Sequence, residues 1–336
     1  MTDDEKKYFN NISSKSWEHP ADRAALSVLK KIPEIDNLLK FFLSLTTEKA
    51  LRLIFLASSV KITKKQFRMV YKLTKQACKI LDYKEMPEVF VTQSPFQNAG
   101  TIGVNKPFIY LNSSLISTCN EKELLVIIGH EIGHIMSGHS LYKTLLWFLL
   151  NISVTMINIP FSAIVIYGII AALREWDRKS ELSADRAGLL VSQNIEDPYS
   201  VLMKLAGGNN PGEMRVDDFV EQALEYEKNG DVLDSVYKIL NLFNQSHPFA
   251  VLRLRELKTW YESGGFDNIM QGNYLSREDE DNNDILEEFD KAKKQYENDI
   301  KNSEDPLNET ISSIGKGLKT AGNEIENLVK KIFKDI

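Results

Sequence analysis

The chain has 336 residues, 43% hydrophobic and 26% charged, with a net charge of −6, enough for one large domain with appendages or two modest domains. The acidic balance argues against a general nucleic-acid binder, which presents a basic face. Two cysteines, Cys78 and Cys119, cannot build a disulfide framework and suit a reducing compartment. The opening stretch, MTDDEKKYFNN, is acidic and polar and shows no secretory-signal pattern.

From Arg23 to Leu81 the apolar spacing is helical, through Leu26, Leu29 and Ile32 and then Leu38, Leu39, Phe42 and Leu43. Pro33 is expected to separate two helices. Lys49 and Arg52 make the apolar run around 41–60 too charged for a membrane span. Residues 1–85 therefore read as an N-terminal helical region. Val89–Thr92 is an expected strand, followed by a turn at Gln93–Pro95. Thr101–Val104 and Phe108–Leu111, separated by Asn105-Lys106-Pro107, complete a small hairpin or meander. Helical periodicity resumes at Glu121.

Leu145 to Leu173 is 29 residues without a charge, long enough on its own to cross a bilayer. Pro160, with Asn151, Ser153, Asn158 and Ser162, divides it into two halves. A helix around Glu181–Leu190 follows, then mixed helical sequence to about Tyr261. Residues 277–305, opened by Arg277-Glu278-Asp279-Glu280-Asp281, read as an acidic linker or exposed helix. The tail, 306–336, is an amphipathic helix. Ile311, Ile314, Leu318, Ala321, Ile325, Leu328 and Ile332 lie on one stripe, with Lys316, Lys319, Lys330, Lys331 and Lys334 elsewhere. It can pack on the body, pair with another helix or lie on an anionic membrane.

The strongest chemical signal is Gly129-His130-Glu131-Ile132-Gly133-His134. Histidines at i and i+4 stand one above the other on a helix, so His130 and His134 can share one tetrahedral zinc. Glu131 sits beside the first histidine, where it can take a proton from water that the ion activates. Burying these groups among Ile128, Ile132 and Ile135 for purely structural reasons is costly. A third ligand is needed. His139 is out of register for the extended motif H-E-x-x-H-x-x-G-x-x-H, which has Gly and His where this chain has Ser137 and Ser140. Glu181 is the better candidate, one turn from Asp185 on the same helix face. Asp185 can then accept a hydrogen bond from a ligating histidine and fix its tautomer.

These residues resemble the zinc metallopeptidases that include the HtpX-type heat-shock proteases and the CAAX prenyl endopeptidases (family M forty-eight). That family pairs H-E-x-x-H with a downstream S/R-x-x-E-x-x-A-D-R-x-A, matched here by Arg178, Glu181 and Ala184-Asp185-Arg186, with Gly188 in place of the last Ala. The likeness runs from about Glu88 to Leu257. It implies a mainly α fold with a small β-sheet (α+β, zincin-like), a catalytic domain over 86–262 and one zinc ion per chain held by His130, His134 and Glu181. Asn98-Ala99 matches an Asn-Ala step on the edge strand lining the substrate groove, which implies that Asn98 contacts the scissile peptide or its oxyanion, although Gly100 follows where the family often has an aromatic or small apolar residue. His247-Pro248 and Arg253 match a late His-Pro and arginine, which implies that His247 or Arg253 stabilises the tetrahedral intermediate.

Because His134 and Glu181 bracket the uncharged run, the chain must leave and return on one side of any membrane, and 29 residues are too few for two spans. A hairpin over 145–173 that dips into one leaflet satisfies both constraints; a pair of buried core helices is the alternative. HtpX-type relatives carry membrane helices in this interval. The expectation is thus a zinc endopeptidase hydrolysing protein substrates, membrane-associated with its site on the cytoplasmic face and serving protein quality control; a soluble cytoplasmic location is the alternative. Lipid is an expected partner through 145–173 and 306–336; nucleic acid is not. The rival reading is a zinc-stabilised, non-catalytic binding or chaperone-like membrane protein. Glu131 argues against it, since structural zinc sites have no use for a general base and are closed by four protein ligands.

Overall fold

Short strands that alternate between two apolar faces organise this chain, a mainly helical protein with one small sheet. The computed structural model describes residues 6–45, 48–151, 163–228 and 250–280. Strands β1 (Val60–Lys61), β2 (Val89–Thr92), β3 (Ala99–Ile102) and β4 (Phe108–Asn112) lie in the order β1-β2-β4-β3. β1 is antiparallel to β2, with Val60 opposite Val91. β2 is parallel to β4, with Val89 opposite Ile109, and β3 is antiparallel to β4, with Ala99 opposite Leu111. Val89, Val91, Ile109 and Leu111 enter one core, whereas Phe90, Ile102 and Phe108 enter another, as the period of two in a strand requires.

The strand expected at Val89–Thr92 is present with those bounds. The hairpin also forms, but β4 lies between β3 and β2, so the three strands are not a meander. β3 covers Ala99–Ile102 rather than Thr101–Val104. Gly103 ends it at φ 126°, and the Gly103 N–H is taken by Thr144 Oγ1 at 2.9 Å.

One face of the sheet packs on α4 (Arg68–Ile80), α6 (Glu121–Met136) and the second half of α8 (Ala163–Ser192), together with Phe9, Ile12 and Trp17 of the N-terminal arm. The other packs on α1 (Pro20–Leu29), α2 (Pro33–Leu45), α3 (Glu48–Ser58), α7 (Ser140–Asn151) and the first half of α8. Pro33 opens α2, where its missing N–H costs nothing, so the expected break is present. The short α5 (Ser113–Thr118) links the sheet to α6. A third, smaller cluster joins α9 (Glu196–Gly207), α10 (Val216–Lys228) and α11 (Ala250–Glu262), and α12 (Gly265–Met270) follows.

The uncharged run falls on the end of α7 and the start of α8; Pro160 lies outside the described residues. Leu145, Leu146, Phe148, Leu149, Ile166, Ile169, Ile170 and Leu173 are buried in the second core. Among the described residues no helix is long and apolar enough to cross a membrane. At the start of the acidic stretch, Arg277 Nη2 is 2.8 Å from Asp82 Oδ2. The remainder of that stretch and the amphipathic tail over 306–336 lie outside the described residues.

Candidate metal centre

The centre is built on two antiparallel helices that touch backbone to backbone. A capping box starts α6: Asn120 Oδ1 accepts the Lys122 and Glu123 N–H groups at 2.9 and 3.0 Å, and Glu123 Oε2 accepts the Asn120 N–H at 2.8 Å. Along the contact with α8, a Cβ added to Gly133 lies 2.5 Å from Ala187 Cβ, so only glycine permits this approach. Gly188 does the same from the other side, since a Cβ there meets the Val126 carbonyl at 3.0 Å. The departure from Ala at 188 thus has a packing cause.

This closeness delivers Glu181 to the two histidines. His134 Nε2 is 3.1 Å from His130 Nε2 and 3.1 Å from Glu181 Oε1, and His130 Nε2 is 3.3 Å from Glu181 Oε2. Ligand atoms at the corners of a tetrahedron with bonds of about 2.0–2.1 Å stand about 3.3 Å apart. The three side chains therefore fit one small cation, and they form the metal-capable cluster found among the described residues. His134 and Glu181 are fully buried and His130 nearly so. Burial pulls the His130 imidazole down, but the carboxylates of Glu181 and Asp185 outweigh it and push it up to about 9. Burial, reinforced by the Lys143 ammonium, holds His134 well below its ordinary value.

Around the cluster the charges alternate. His130 Nδ1 is 3.0 Å from Asp185 Oδ1. Arg253 on α11 donates to Asp185 from Nε at 2.8 Å and from Nη2 at 2.6 Å, while its Nη1 stands 3.0 Å from Glu181 Oε2. Burial raises the Asp185 carboxyl, but Arg253 and His130 together hold it below the usual range. Lys143 Nζ donates to Asp177 Oδ1 at 2.7 Å and to Glu181 Oε1 at 2.8 Å. Glu131 is buried, and its Oε2 accepts the Thr101 hydroxyl at 2.8 Å, which ties the proposed base to strand β3.

Asn98 stands immediately before β3. Its carbonyl accepts the Asn112 N–H at 2.9 Å, while Asn98 Oδ1 is buried without a partner among the described residues. The Tyr110 ring crosses over Gly100, where a Cβ would lie 2.7 Å from the hydroxyl. The glycine that departs from the family pattern makes room for that ring. His247 lies outside the described residues. Beside the cluster opens a recess. Leu115, Val126, Ile127, Val201, Leu202 and Leu205 line it, together with Asn98, His130, Glu131, Asp185 and Arg253.

Thr101, Lys143 and Asp177 escaped the sequence reading. Lys143 did leave a trace, because a lone cation at the mouth of a long uncharged run needs an acidic partner. Thr101 left none beyond its place on an expected strand.

A helix bearing H-E-x-x-H, a glutamate brought over it by a second helix and an edge strand beside both define a zincin-like metallopeptidase centre. Residues 64–261 match Peptidase family M48, and the chain belongs to that family. It is 32% identical over 269 residues to the plastoglobule-localized metallopeptidase 48, chloroplastic, of Arabidopsis thaliana, covering 78% of this chain and 77% of the relative. A shorter match, 33% identical over 88 residues, is to the protease HtpX of Shewanella pealeana (strain ATCC 700345 / ANG-SQ1), covering 26% of this chain and 29% of that one. No solved structure matches.

Proposed function

We propose that the chain is a zinc-dependent endopeptidase acting on protein substrates at a membrane surface, in protein quality control. The observation that carries the peptidase reading is the convergence of His130, His134 and Glu181 on one point, with Glu131 beside them at the wall of an open recess. Two nitrogens and one carboxylate are the donor set of catalytic zinc sites, which keep a fourth position open. When bound, the ion supplies Lewis-acid activation of water and of the scissile carbonyl.

The chain's own residues do the rest. Glu131 takes the proton released by water and returns it to the leaving nitrogen, with Thr101 holding the carboxylate in place. Among the described residues β3 is the outermost strand of the sheet, and an extended peptide would lie alongside it. Asn98 Oδ1, without a partner among the described residues, accepts a peptide N–H from it. Arg253 orients Glu181 and Asp185 and adds positive charge to the wall where the oxyanion develops. His247 is assigned a supporting donor role by family resemblance alone.

The test is zinc content and casein cleavage for wild type, Glu131→Gln and Glu181→Ala, purified in mild detergent. Glu131→Gln is expected to keep about one zinc per chain and lose cleavage, and Glu181→Ala to lose the metal. A wild-type chain that binds no zinc sinks the reading. Attachment to membrane rests on the HtpX-type resemblance and on the uncharged run, of which Leu145, Leu149, Ile169 and Leu173 are covered by the protein's own second core. Alkaline carbonate is expected to leave the protein in the membrane pellet, and complete release would count against an embedded hairpin.

A further inference from the structure

His139 is buried beside the metal centre, and the ligand set does not use it. α6 ends at Met136, Gly138 turns the chain at φ 69°, and the His139 N–H returns to the His134 carbonyl at 3.0 Å. The two rings then meet with Nδ1 facing Nδ1 at 2.9 Å. The other nitrogen of His139, Nε2, is 3.0 Å from Asp22 Oδ2 on α1. His134, His139 and Asp22 are 0%, 2% and 1% exposed, so water cannot stand in for any of these contacts. Asp22 is itself held: its Oδ2 accepts the Ser183 hydroxyl at 2.6 Å, and Ser183 Oγ accepts the His19 N–H at 2.9 Å.

The direction of each bond follows from the end of the series. An ionised carboxylate only accepts, so a neutral His139 carries its hydrogen on Nε2 and presents a lone pair at Nδ1. His134 must then donate from Nδ1, which leaves the lone pair of its Nε2 turned toward Glu181 and His130. A neutral His130 reaches the same state in one step, through Asp185. The reverse polarity would put a hydrogen on His134 Nε2 and close that nitrogen to a cation.

We propose that Asp22, acting through His139, is a positioning residue for the metal: it sets the tautomer of His134 from a helix that lies outside the family-matched residues. The inference rests on the metallopeptidase reading and adds to it that the centre is incomplete without the N-terminal arm. Residues 64–261 contain all three ligands and His139, but not Asp22. Docking of α1 and loading of the metal are therefore linked, each favouring the other.

Imidazole nitrogen–proton NMR on uniformly labelled, zinc-loaded wild type reads the tautomers directly, without any substitution. The expected result is His139 protonated at Nε2 and His134 at Nδ1; His139 protonated at Nδ1 overturns the proposal. Competition against a chromophoric chelator then measures zinc affinity. Asp22→Asn and His139→Phe are each expected to weaken it ~10–100-fold, and the double variant is expected to be no weaker than the single ones. Affinities within about threefold of wild type, below the loss expected for such a contact, overturn the proposal whatever the melting temperatures of the metal-free proteins do. If wild type takes up zinc but cleaves no peptide, the peptidase reading falls alone and the relay is judged on its affinities. If wild type takes up no zinc, both fall.

Discussion

Two clusters of carboxylates and cations, one between α6, α7, α8 and α11 and one at the outer edge of the sheet, use the same chemistry in opposite surroundings. In the first, Glu181, Asp185, Arg253 and Lys143 have side chains 0%, 8%, 5% and 11% exposed. In the second, Glu88, just before β2, is bound by Arg52 of α3 and Lys61 of β1, with exposures of 32%, 39% and 37%. Removing one partner from the buried cluster strands a charge that has no water to turn to. Water replaces a partner lost from the outer cluster, and salt screens what remains. Ion pairs that look alike as distances therefore differ several-fold in what they contribute.

The comparison breaks most visibly at Arg253. Its guanidinium pairs with both Glu181 and Asp185. Arg253→Ala is expected to destabilise the metal-free protein by ~3–5 kcal/mol, the cost of leaving buried charge unpaired. Denaturant unfolding measures this directly, and a loss under about 1 kcal/mol would place the cluster in the same regime as surface pairs. Zinc saturation is expected to recover part of the loss, because a cation held by Glu181 replaces one of the partners removed.

An intermediate effect is expected where no charge changes. The buried cluster depends on the close approach of α6 and α8, and Gly133 is the tightest glycine position between them, 2.5 Å from Ala187 Cβ to an added Cβ. Gly133→Val forces the helices apart at an overpacking cost of ~1–3 kcal/mol. Since Gly133 adjoins His134, zinc affinity is expected to fall along with stability. Unchanged zinc affinity in a folded Gly133→Val protein would show that the ligands do not depend on the helix spacing.

Local periodicity made much of this legible from sequence. His130 and His134, and likewise Glu181 and Asp185, are one helical turn apart, and a turn of helix is written in four consecutive residues. The strand at Val89–Thr92 and the helix break at Pro33 are local in the same sense. What escaped is long-range. Asp22 meets Ser183 across 161 positions, and Thr101 meets Glu131 across 30; no short-range pattern marks either. A period of two shows that residues 108–112 form a strand, but not that it inserts between β2 and β3 and runs parallel to β2. Nor does an uncharged run say what will cover it. Leu145, Leu149, Ile169 and Leu173 are as apolar as a membrane span requires, and in the fold they are buried against α1, α2 and the sheet. Hydrophobicity specifies removal from water and leaves open whether protein or lipid does the removing.

The smallest effect is expected at the outer cluster, and it has a defined pH signature. Hydrogen bonding from Arg52, working against partial burial and joined by Lys61, holds the Glu88 carboxyl at about 2. Its folded value lies below its ordinary value of 4.5, so its contribution is fully present above that value. The contribution is then lost as pH falls toward about 2. Glu88→Gln is therefore expected to lower the melting temperature slightly at pH 7, by no more than about 3 °C given the exposure of the site. The difference from wild type is expected to shrink as pH drops through that window and to fade in about 1 M salt, where the Debye length falls to ~3 Å. A Glu88→Gln penalty that survives both acid and salt would mean that the carboxylate acts through packing rather than charge, and the contrast between the two clusters would then be one of shape rather than solvation.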